Sequence, residues 1–352
     1  MTTAHAAGGR ADAAAGRVPL VARRTASSLD ELLVGATERS PFLTSDSKSG
    51  SSFERVVVDG RPMILKHLHP DGDWTMRALG DVGCRPVEVW TSGLLDALPA
   101  IIDHTVVGAA SGLGRNGWGG ALLMRDVSAE LVPPGDAVLD LEVHRRFLDH
   151  MAELAATFWG GIGLPDLLPL ETRWSVFGPG LLAAEEALGW PDAVPPIAAK
   201  GWARFAERAP ADVATVVGEL RRDADPLVVA ARRTPQTFLH GDWKLGNVGA
   251  GGDGRTILID WMCPGVGPIG HDVSWYLALN RVRLPESKET TIDAVRQGLE
   301  RRGIDTAAWW DAQISLCLLG ALVQFGWEKA FDEDDELGWW CDRAREGIRW
   351  LG

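Results

Sequence analysis

The segment that most constrains the fold is residues 240–247, HGDWKLGN, which lies between the apolar runs TFL and ILID. Runs of this composition, bounded by turn residues, predict buried strands. An acid, a cation and an amide between such strands need hydrogen-bond partners or a chemical role, because burying an unpaired polar group costs a few kcal/mol. The chain therefore forms a loop here that is either solvated or built for chemistry.

The size and charge of the chain limit what this loop can serve. With 352 residues, the chain exceeds the size at which one core usually stops growing, so two lobes are expected. The net charge of -13 opposes binding to nucleic acid or anionic membranes, which depends on summed Lys and Arg contacts. We therefore expect neither partner; a monomer and a homodimer both remain open.

The cysteines and the N-terminus indicate a cytoplasmic protein. The four cysteines are far apart and form no CxxC pair, so neither a zinc site nor a disulfide framework is predicted. Residues 1–27 are rich in Ala, Gly and Arg and lack the continuous apolar segment of a signal peptide. This composition predicts a disordered tail.

Residues 28–126 are predicted to form an N-terminal lobe with a small antiparallel sheet. FERVVV and RPMILKHL flank Asp59-Gly60, which is a strong hairpin signal. RPVEVWTSGLLDAL predicts one helix with Glu88 in its first turns. AIIDHTVVGAA and ALLMRDV predict further strands.

Residues 127–352 are predicted to form a mostly helical C-terminal lobe that contains the HGDWKLGN loop. In LEVHRRFLDHMAELAATFW the apolar residues recur at spacings of three and four, which describes one face of a long helix. Similar patterns predict helices over residues 178–188, 196–232, 288–302, 306–330 and 336–350. The fold class expected is therefore α+β.

One glycine pattern is misleading. Gly112, Gly114 and Gly117 match GxGxxG, but a dinucleotide site needs a helix directly after the glycines. WGGALLMRDV follows instead, which is a strand pattern. A hairpin connection is the better interpretation.

The spacing of Asp242, Asn247 and Asp260 predicts a magnesium site. Asp242 and Asn247 share the loop, and Asp260 ends the ILID strand. If the GAGGDG turn folds the second strand back against the first, Asp260 returns close to Asn247. Two hard oxygen ligands then converge, as at sites that hold Mg²⁺ bridged to phosphate oxygens.

The remaining groups of the loop fit phosphoryl transfer. Asp242 would accept or orient the proton of an incoming hydroxyl, and Lys244 would reach the transferred phosphoryl group. His240 braces the loop through hydrogen bonds rather than touching substrate. The alternative is an ordinary β-turn with solvated polar residues.

Upstream residues could hold the nucleotide. Lys66 in MILKHL lies on a strand that looks buried, where an ammonium group is unusual, and Glu88 is its natural partner. The alternatives are a solvated edge lysine and an exposed helix carboxylate. In SDSKSGSS, backbone NH groups and hydroxyls at Ser49, Gly50 and Ser51 could cradle phosphates.

In order and spacing, MILK, the Glu88 helix, HGDWKLGN and ILIDW resemble the aminoglycoside phosphotransferase family over about residues 45–350. The resemblance implies a protein-kinase-like two-lobe fold, with ATP or GTP as donor and Mg²⁺ as cofactor. It makes the N-terminal lobe nucleotide-binding and places the acceptor site in the C-terminal lobe. The residues it implies are Asp242 as catalytic base, Asn247 and Asp260 as metal ligands, Lys66 on the nucleotide phosphates, and Met124 and Asp126 in the hinge that meets the nucleobase.

The chain also departs from the family pattern. Members often carry a His or a Pro-containing loop where this chain has residues 243–246, and Lys244 is more typical of Ser/Thr protein kinases. The 47–52 turn is poorer in glycine than a protein-kinase loop. Protein-kinase activity is disfavoured nonetheless, because only residues 262–272 separate Trp261 from the next apolar stretch, which is too short for an activation segment.

The expected activity is transfer of a γ-phosphoryl group to a hydroxyl of an antibiotic or an amino-sugar-like compound, with antibiotic resistance as one role. A metabolic sugar, amino-sugar or choline kinase is the alternative, followed by a silent nucleotide-binding regulator. Eleven of the sixteen tryptophans lie at position 190 or beyond and serve either core packing or flat walls for a sugar or cation. The acidic run 332–336 is either a solvated face or a site that attracts amines.

Overall fold

The computed structural model of the chain describes residues 19–42, 50–114, 117, 119–161, 163–164 and 167–352. Residues 19–27 belong to the segment predicted as a tail, but they lie against the N-terminal lobe. The Arg23 N–H donates to the Thr91 carbonyl at 2.8 Å, and Ala26 forms a parallel bridge with Ala110. The first eighteen residues lie outside the described part.

A five-stranded antiparallel sheet forms the N-terminal lobe, as the sequence predicts. Its spatial order is β1-β2-β3-β6-β5. Asp59 and Gly60 both have positive φ, 50° and 74°, which is the backbone of a tight hairpin turn, so the Asp-Gly prediction is confirmed. The strands are β1 (Ala36–Phe42), β2 (Ser52–Val58), β3 (Arg61–Leu68), β5 (Val106–Ser111) and β6 (Gly120–Arg125).

The hairpin interpretation of the GxGxxG segment is also confirmed. Strands β5 and β6 pair antiparallel from Ser111–Gly120 inward, so the glycines connect two strands, and the element that begins at Gly120 is a strand. The connection is described only at residues 112–114, 117 and 119.

Strand β4 (Ile102–Asp103) corrects the predicted extent of this sheet. AIIDHTVVGAA does not form one strand, because Thr105 takes a left-handed φ of 61° and divides it. Strand β4 then pairs in parallel with β9 (Thr256–Leu258), which in turn pairs with β8 (Val248–Ala250). The two strands that follow the HGDWKLGN segment are thereby tied to the N-terminal half of the chain.

The predicted helix 85–98 is interrupted. Helix α3 ends at Thr91, and a 3₁₀ helix covers Leu94–Ala97. Gly93 between them has a φ of 78°, and a side chain there would meet the Val21 carbonyl oxygen at 2.0 Å. The helix therefore ends just before a glycine whose left-handed backbone no other residue type could occupy so close to Val21.

The C-terminal lobe is mostly helical, and this confirms the α+β class and the two-lobe fold. The long helix predicted from its apolar spacing is α4, and its buried face includes Phe147, Met151 and Leu154. The predicted helix 196–232 is instead three helices, because Pro210 and the Asp225-Pro226 pair each begin a new helix. The α-helices in the described chain are α1 (Leu29–Leu32), α2 (Trp74–Ala78), α3 (Arg85–Thr91), α4 (Leu141–Thr157), α5 (Leu170–Ser175), α6 (Pro179–Leu188), α7 (Val194–Arg208), α8 (Ala211–Leu220), α9 (Asp225–Ala231), α10 (Gly270–Asn280), α11 (Lys288–Arg301), α12 (Trp310–Lys329) and α13 (Asp334–Ile348).

Helix α12 is the centre of this lobe. It is buried on nearly every side and packs against α5, α7, α8, α9, α10 and α13. A helix that is apolar all round belongs to the interior of a large core. Among the residues described, no helix is both long and apolar enough to cross a bilayer. Trp174, Trp243, Trp261 and Trp340 are fully buried, so these tryptophans serve packing.

Candidate active site

The HGDWKLGN segment leaves strand β7 (Thr237–Leu239) as an irregular loop and passes through a 3₁₀ turn, Leu245–Asn247, into β8. The following turn folds β9 back against β8 rather than against β7, which pairs with β10 (Gly265–Gly267). The Ile259 N–H donates to the Asn247 carbonyl at 3.0 Å. Asp260 therefore returns beside Asn247 as expected, although by a different pairing.

Asp260 joins the two lobes at the site. Its Oδ1 lies 2.7 Å from Nζ of Lys66, whose side chain is only 6% exposed. Asp260 has a φ of 64°, a left-handed conformation that costs most side chains 1–2 kcal/mol and that Asp tolerates better than most residues. Such backbone conformations cluster at functional sites, where the surrounding structure holds them in place.

Three donors of the described chain hold the Asp242 carboxylate. Its Oδ2 accepts from Lys244 Nζ at 2.9 Å and from Asn247 Nδ2 at 2.7 Å, and its Oδ1 accepts from Trp275 Nε1 at 2.8 Å. Asn247 Nδ2 also donates to the Asp242 carbonyl at 3.0 Å. Because the Asn247 amide nitrogen faces Asp242, its Oδ1 is the atom that can bind a cation.

Helix α10 fixes the HGDWKLGN loop at both ends. Asp272, which is 1% exposed, accepts from the backbone N–H groups of His240 at 3.0 Å and of Gly241 at 2.9 Å. Asn280 Oδ1 accepts from the Leu245 N–H at 3.0 Å. Asp272 therefore orients the backbone of the loop at its start, and Asn280 at its end.

His240 is a brace, as predicted. Its Nε2 donates to the Ile259 carbonyl at 3.1 Å, and its Nδ1 accepts from the Asp242 N–H at 3.3 Å. Complete burial lowers the pKa of His240 and outweighs the nearby carboxylates. The neutral ring therefore ties the loop to the segment that precedes Asp260.

Opposite charges offset one another across the site. Burial acts to raise the pKa of Asp260, but Lys66 and Lys244 outweigh it and the pKa lies below its ordinary value. Burial acts to lower the pKa of Lys244, but Asp242 and Asp260 outweigh it and that pKa is raised. Asp260 and Lys244 are therefore both charged at neutral pH.

Gly241 must be a glycine for two reasons. Its φ is 77°, and a Cβ at this position would lie 2.0 Å from the Cys263 carbonyl oxygen and 2.1 Å from Arg173 Nη1. Arg173 is a buried residue of α5, and burial lowers its pKa to about 10. The loop thus passes directly over a buried guanidinium group.

The predicted phosphate turn is described only in part. Ser49 lies outside the described residues, whereas Gly50 and Ser51 lie within them. The Ser51 hydroxyl donates to Asp73 Oδ2 at 2.5 Å, and Asp73 Oδ1 caps α2 by accepting from the N–H groups of Thr75 and Met76. Asp73 is 1% exposed, and burial raises its pKa despite the nearby Lys66.

The other predicted nucleotide residues lie on α3, on β6 and directly after β6. Glu88 is an exposed residue of α3, and the ion-pair partner of Lys66 in the described chain is Asp260. Met124 lies in β6 opposite Ile64. The Asp126 carboxylate follows β6 and accepts from the N–H and the hydroxyl of Ser128. The nucleotide-binding roles of these residues stay predictions.

The oxygen atoms of Asn247 and Asp260 are suitable ligands for magnesium. The described residues contain no group of three or more His, Cys, Asp or Glu side chains that could hold a metal ion by themselves. Magnesium does not need one, since it is usually held by one or two protein oxygens together with substrate phosphates and waters. Asp260 and the Asn247 Oδ1 supply oxygens of this kind.

Two residues of the site escaped the sequence analysis. Trp275 was one of many tryptophans, and its place three residues after Asp272, on the same side of α10, was the only available signal. Asp73 precedes the short helix α2, and its acidic side chain at a helix start has the pattern of an N-cap. Neither pattern by itself indicates contact with the loop or with Ser51.

A family model described as the phosphotransferase enzyme family matches residues 47–310. No curated protein sequence matches the chain.

Solved structures with a similar fold include choline kinase LicA from Streptococcus pneumoniae, at 14% identity, 92% coverage of this chain, 97% coverage of that chain and a TM-score of 0.44. A thermostable mutant of the aminoglycoside phosphotransferase APH(4)-Ia has 14% identity, coverages of 91% and 97%, and a TM-score of 0.45. Amicoumacin kinase hAmiN has 15% identity, coverages of 90% and 89%, and a TM-score of 0.47. Likeness at this level assigns no acceptor.

Proposed function

The chain belongs to the phosphotransferase enzyme family, and on that premise we propose that it transfers the γ-phosphoryl group of ATP or GTP to a hydroxyl group of a small molecule. The observation that carries the proposal is the convergence of Asp242, Lys244, Asn247 and Asp260 with Lys66 from the other lobe. Phosphoryl transfer needs positioned groups and charge neutralisation more than covalent chemistry by the protein.

Each side chain has a role that follows from its charge and contacts. Asp242 orients the acceptor hydroxyl and takes its proton. A bond forms between the hydroxyl oxygen and the γ-phosphorus, while the bond from that phosphorus to the β–γ bridging oxygen breaks and the nucleoside diphosphate leaves. Lys244, 2.9 Å from Asp242, offsets the charge of the transferred group on the same side.

Lys66 and Asp260 form an ion pair that nucleotide would rearrange. The phosphates of a nucleotide would take the Lys66 ammonium, and Asp260 with Asn247 Oδ1 would then hold Mg²⁺. The metal, when bound, neutralises phosphate charge. Ser51 and Gly50 approach from the turn before β2, where Asp73 holds the Ser51 hydroxyl.

The proposed acceptor is a hydroxylated antibiotic or an amino-sugar-like compound, and a sugar or choline is the alternative. The acidic run 332–336 does not favour a polycationic acceptor, because the fold uses its charges. Arg281 lies 3.1 Å from carboxylates of the first two residues, Arg208 lies 2.6 Å from the third, and Lys288 lies 2.7 Å from the last. Antibiotic resistance is the biological role we propose for such an activity.

The test is a phosphate-acceptor screen with ATP and GTP each as donor and Mg²⁺ present. Aminoglycosides, nucleoside antibiotics, amino sugars, sugars and choline are offered, and nucleoside diphosphate is measured. We expect acceptor-dependent turnover that Asp242→Ala lowers by about a hundredfold or more, the scale of a positioned base. Asp253→Ala, at an exposed turn residue in the loop between β8 and β9, is the matched control.

Two results would refute the proposal. One is the consumption of nucleotide only when a protein is offered as the acceptor, which indicates a protein kinase. The other is near-normal turnover in Asp242→Ala, which removes this residue from the reaction.

A further inference from the structure

The two carboxylate oxygens of Asp242 differ in how many hydrogen bonds they already accept. An ionised carboxylate offers about two acceptor positions on each oxygen. Oδ2 already accepts from Lys244 at 2.9 Å and Asn247 at 2.7 Å, whereas Oδ1 accepts from Trp275 Nε1 at 2.8 Å. In the described chain, one acceptor position of Oδ1 is therefore the one left for a further donor.

From this count we infer that the acceptor hydroxyl binds Asp242 at Oδ1, beside the indole of Trp275, and that Trp275 is a positioning residue for the reaction. The inference rests on the proposed function, because it identifies the oxygen of Asp242 that faces the acceptor. Trp275 fixes the plane of the carboxylate, so that Oδ1 presents its open position in one direction.

The surroundings of Trp275 suit this role. The ring stacks on His271 with centroids 5.6 Å apart and meets Phe325 of α12 edge-on at 4.8 Å, so its N–H has a fixed direction. Its own helix also holds the loop, through Asp272. One rigid element therefore positions both the backbone of the loop and the carboxylate of Asp242.

Trp339 provides a matched control within the same chain. Its Nε1 also donates to a carboxylate, Glu289 Oε1, at 2.6 Å, but on α13 and at an exposed contact. Trp339→Phe removes the same kind of hydrogen bond as Trp275→Phe. Only the change at position 275 affects Asp242.

The first experiment needs no acceptor. In protein with ¹⁵N-labelled tryptophan, the indole cross-peak of Trp275 is identified by its loss in Trp275→Phe, and that of Trp339 by its loss in Trp339→Phe. We expect the Trp275 proton resonance to move upfield in Asp242→Ala, because its hydrogen bond is lost, while that of Trp339 stays in place. An unmoved Trp275 resonance overturns the inference.

The second experiment uses an acceptor found in the screen. We expect Trp275→Phe to lower kcat about ten- to a hundredfold, the effect of losing one hydrogen bond to a charged group, with the KM for nucleotide within about twofold of wild type. Trp339→Phe should leave both constants unchanged. A loss of kcat in both variants would indicate general destabilisation and overturn the specific role of Trp275.

A third variant separates the N–H from the packing of the ring. Benzothienylalanine at position 275 keeps the bicyclic shape but replaces the indole N–H by sulfur, so it should reproduce the loss of kcat. Wild-type kcat in this variant would refute the role of the N–H. Failure of wild-type protein to phosphorylate any acceptor would refute the proposed function and the placement of the acceptor hydroxyl, whereas the resonance experiment separately decides the Trp275–Asp242 contact.

Discussion

Replacing Asp260 by Asn and, in a separate variant, by Ala tests the side chain and the backbone of this residue independently. Both substitutions remove the negative charge that faces Lys66 at 2.7 Å. Only Asn shares the tolerance of Asp for the left-handed backbone that a φ of 64° requires. The difference in free energy of unfolding between the two variants therefore measures the backbone strain. The loss of stability that they share measures the contribution of the negative charge.

The expected magnitudes follow from burial and conformation. Removing one partner of a buried ion pair costs about 3–5 kcal/mol. Lys66 is 6% exposed but Asp260 is 28% exposed, so we reduce this to about 2 kcal/mol for Asp260→Asn, because solvent screens a partly exposed pair. Asp260→Ala should lose about 1 kcal/mol more, since Ala carries the left-handed penalty.

The assay is urea unfolding, followed by tryptophan fluorescence, with and without Mg²⁺ and nucleotide. At a hundredfold excess over its dissociation constant, nucleotide should stabilise wild type by about 2.7 kcal/mol, and we expect both variants to lose most of this gain. Asp253→Asn and Asp253→Ala are the controls. Equal stability of the two Asp260 variants would refute the strain argument. If Mg²⁺-nucleotide stabilised the variants as much as it stabilises wild type, the metal role of Asp260 would be refuted.

The remaining predictions concern the loop and the buried histidines. Lys244→Met should lower kcat by about a hundredfold while Mg²⁺-nucleotide binding is retained. Lys288→Met is the control and should leave kcat unchanged. Equal kcat values of the two variants in a turnover assay would contradict the role of Lys244. Gly241→Ala should lower the free energy of unfolding in urea by more than about 3 kcal/mol, because backbone strain and a steric clash combine. Gly254 also has a positive φ but open space around it, so Gly254→Ala should lower it by about 1 kcal/mol. Equal losses in the two variants would exclude the clash. Burial lowers the pKa of five histidines from the ordinary value of 6.5. Below pH 6.5 the unfolded chain therefore binds more protons than the folded chain, and the free energy of unfolding falls as the pH falls, by up to about 1.4 kcal/mol per pH unit for each histidine. Equal free energies of unfolding at about pH 7.5 and 5.5 would contradict this. These histidines are His104, His144, His150, His240 and His271.

Local patterns predicted much of the fold because they depend on neighbouring residues. Asp59-Gly60 predicts a hairpin since both residues accept positive φ, and the apolar spacing in residues 141–159 predicts α4 since it follows the helical period. HGDWKLGN likewise located the loop, and the bracing role of His240 followed from its place within it.

Other features depend on contacts between distant segments. Val21 lies against Gly93, at the point where the helix after Arg85 has ended, and no pattern within that helix shows this contact. Strand β4 leaves the large sheet to pair with β9, more than 150 residues further along the chain. Asn247 and Asp260 were expected to meet through pairing of β7 with β9, but β8 is the strand that brings them together.

The sequence by itself determined which polar groups the loop contains, because acids, amides and ammonium groups placed between buried strands must be paired or used. Only the tertiary structure decided how they are arranged. Lys66 and Asp260 are separated by 194 positions, and Asp242 and Trp275 by 33. Which oxygen of Asp242 stays open depends on where α10 packs, and that packing is set by the buried helix α12 through contacts that no local pattern encodes.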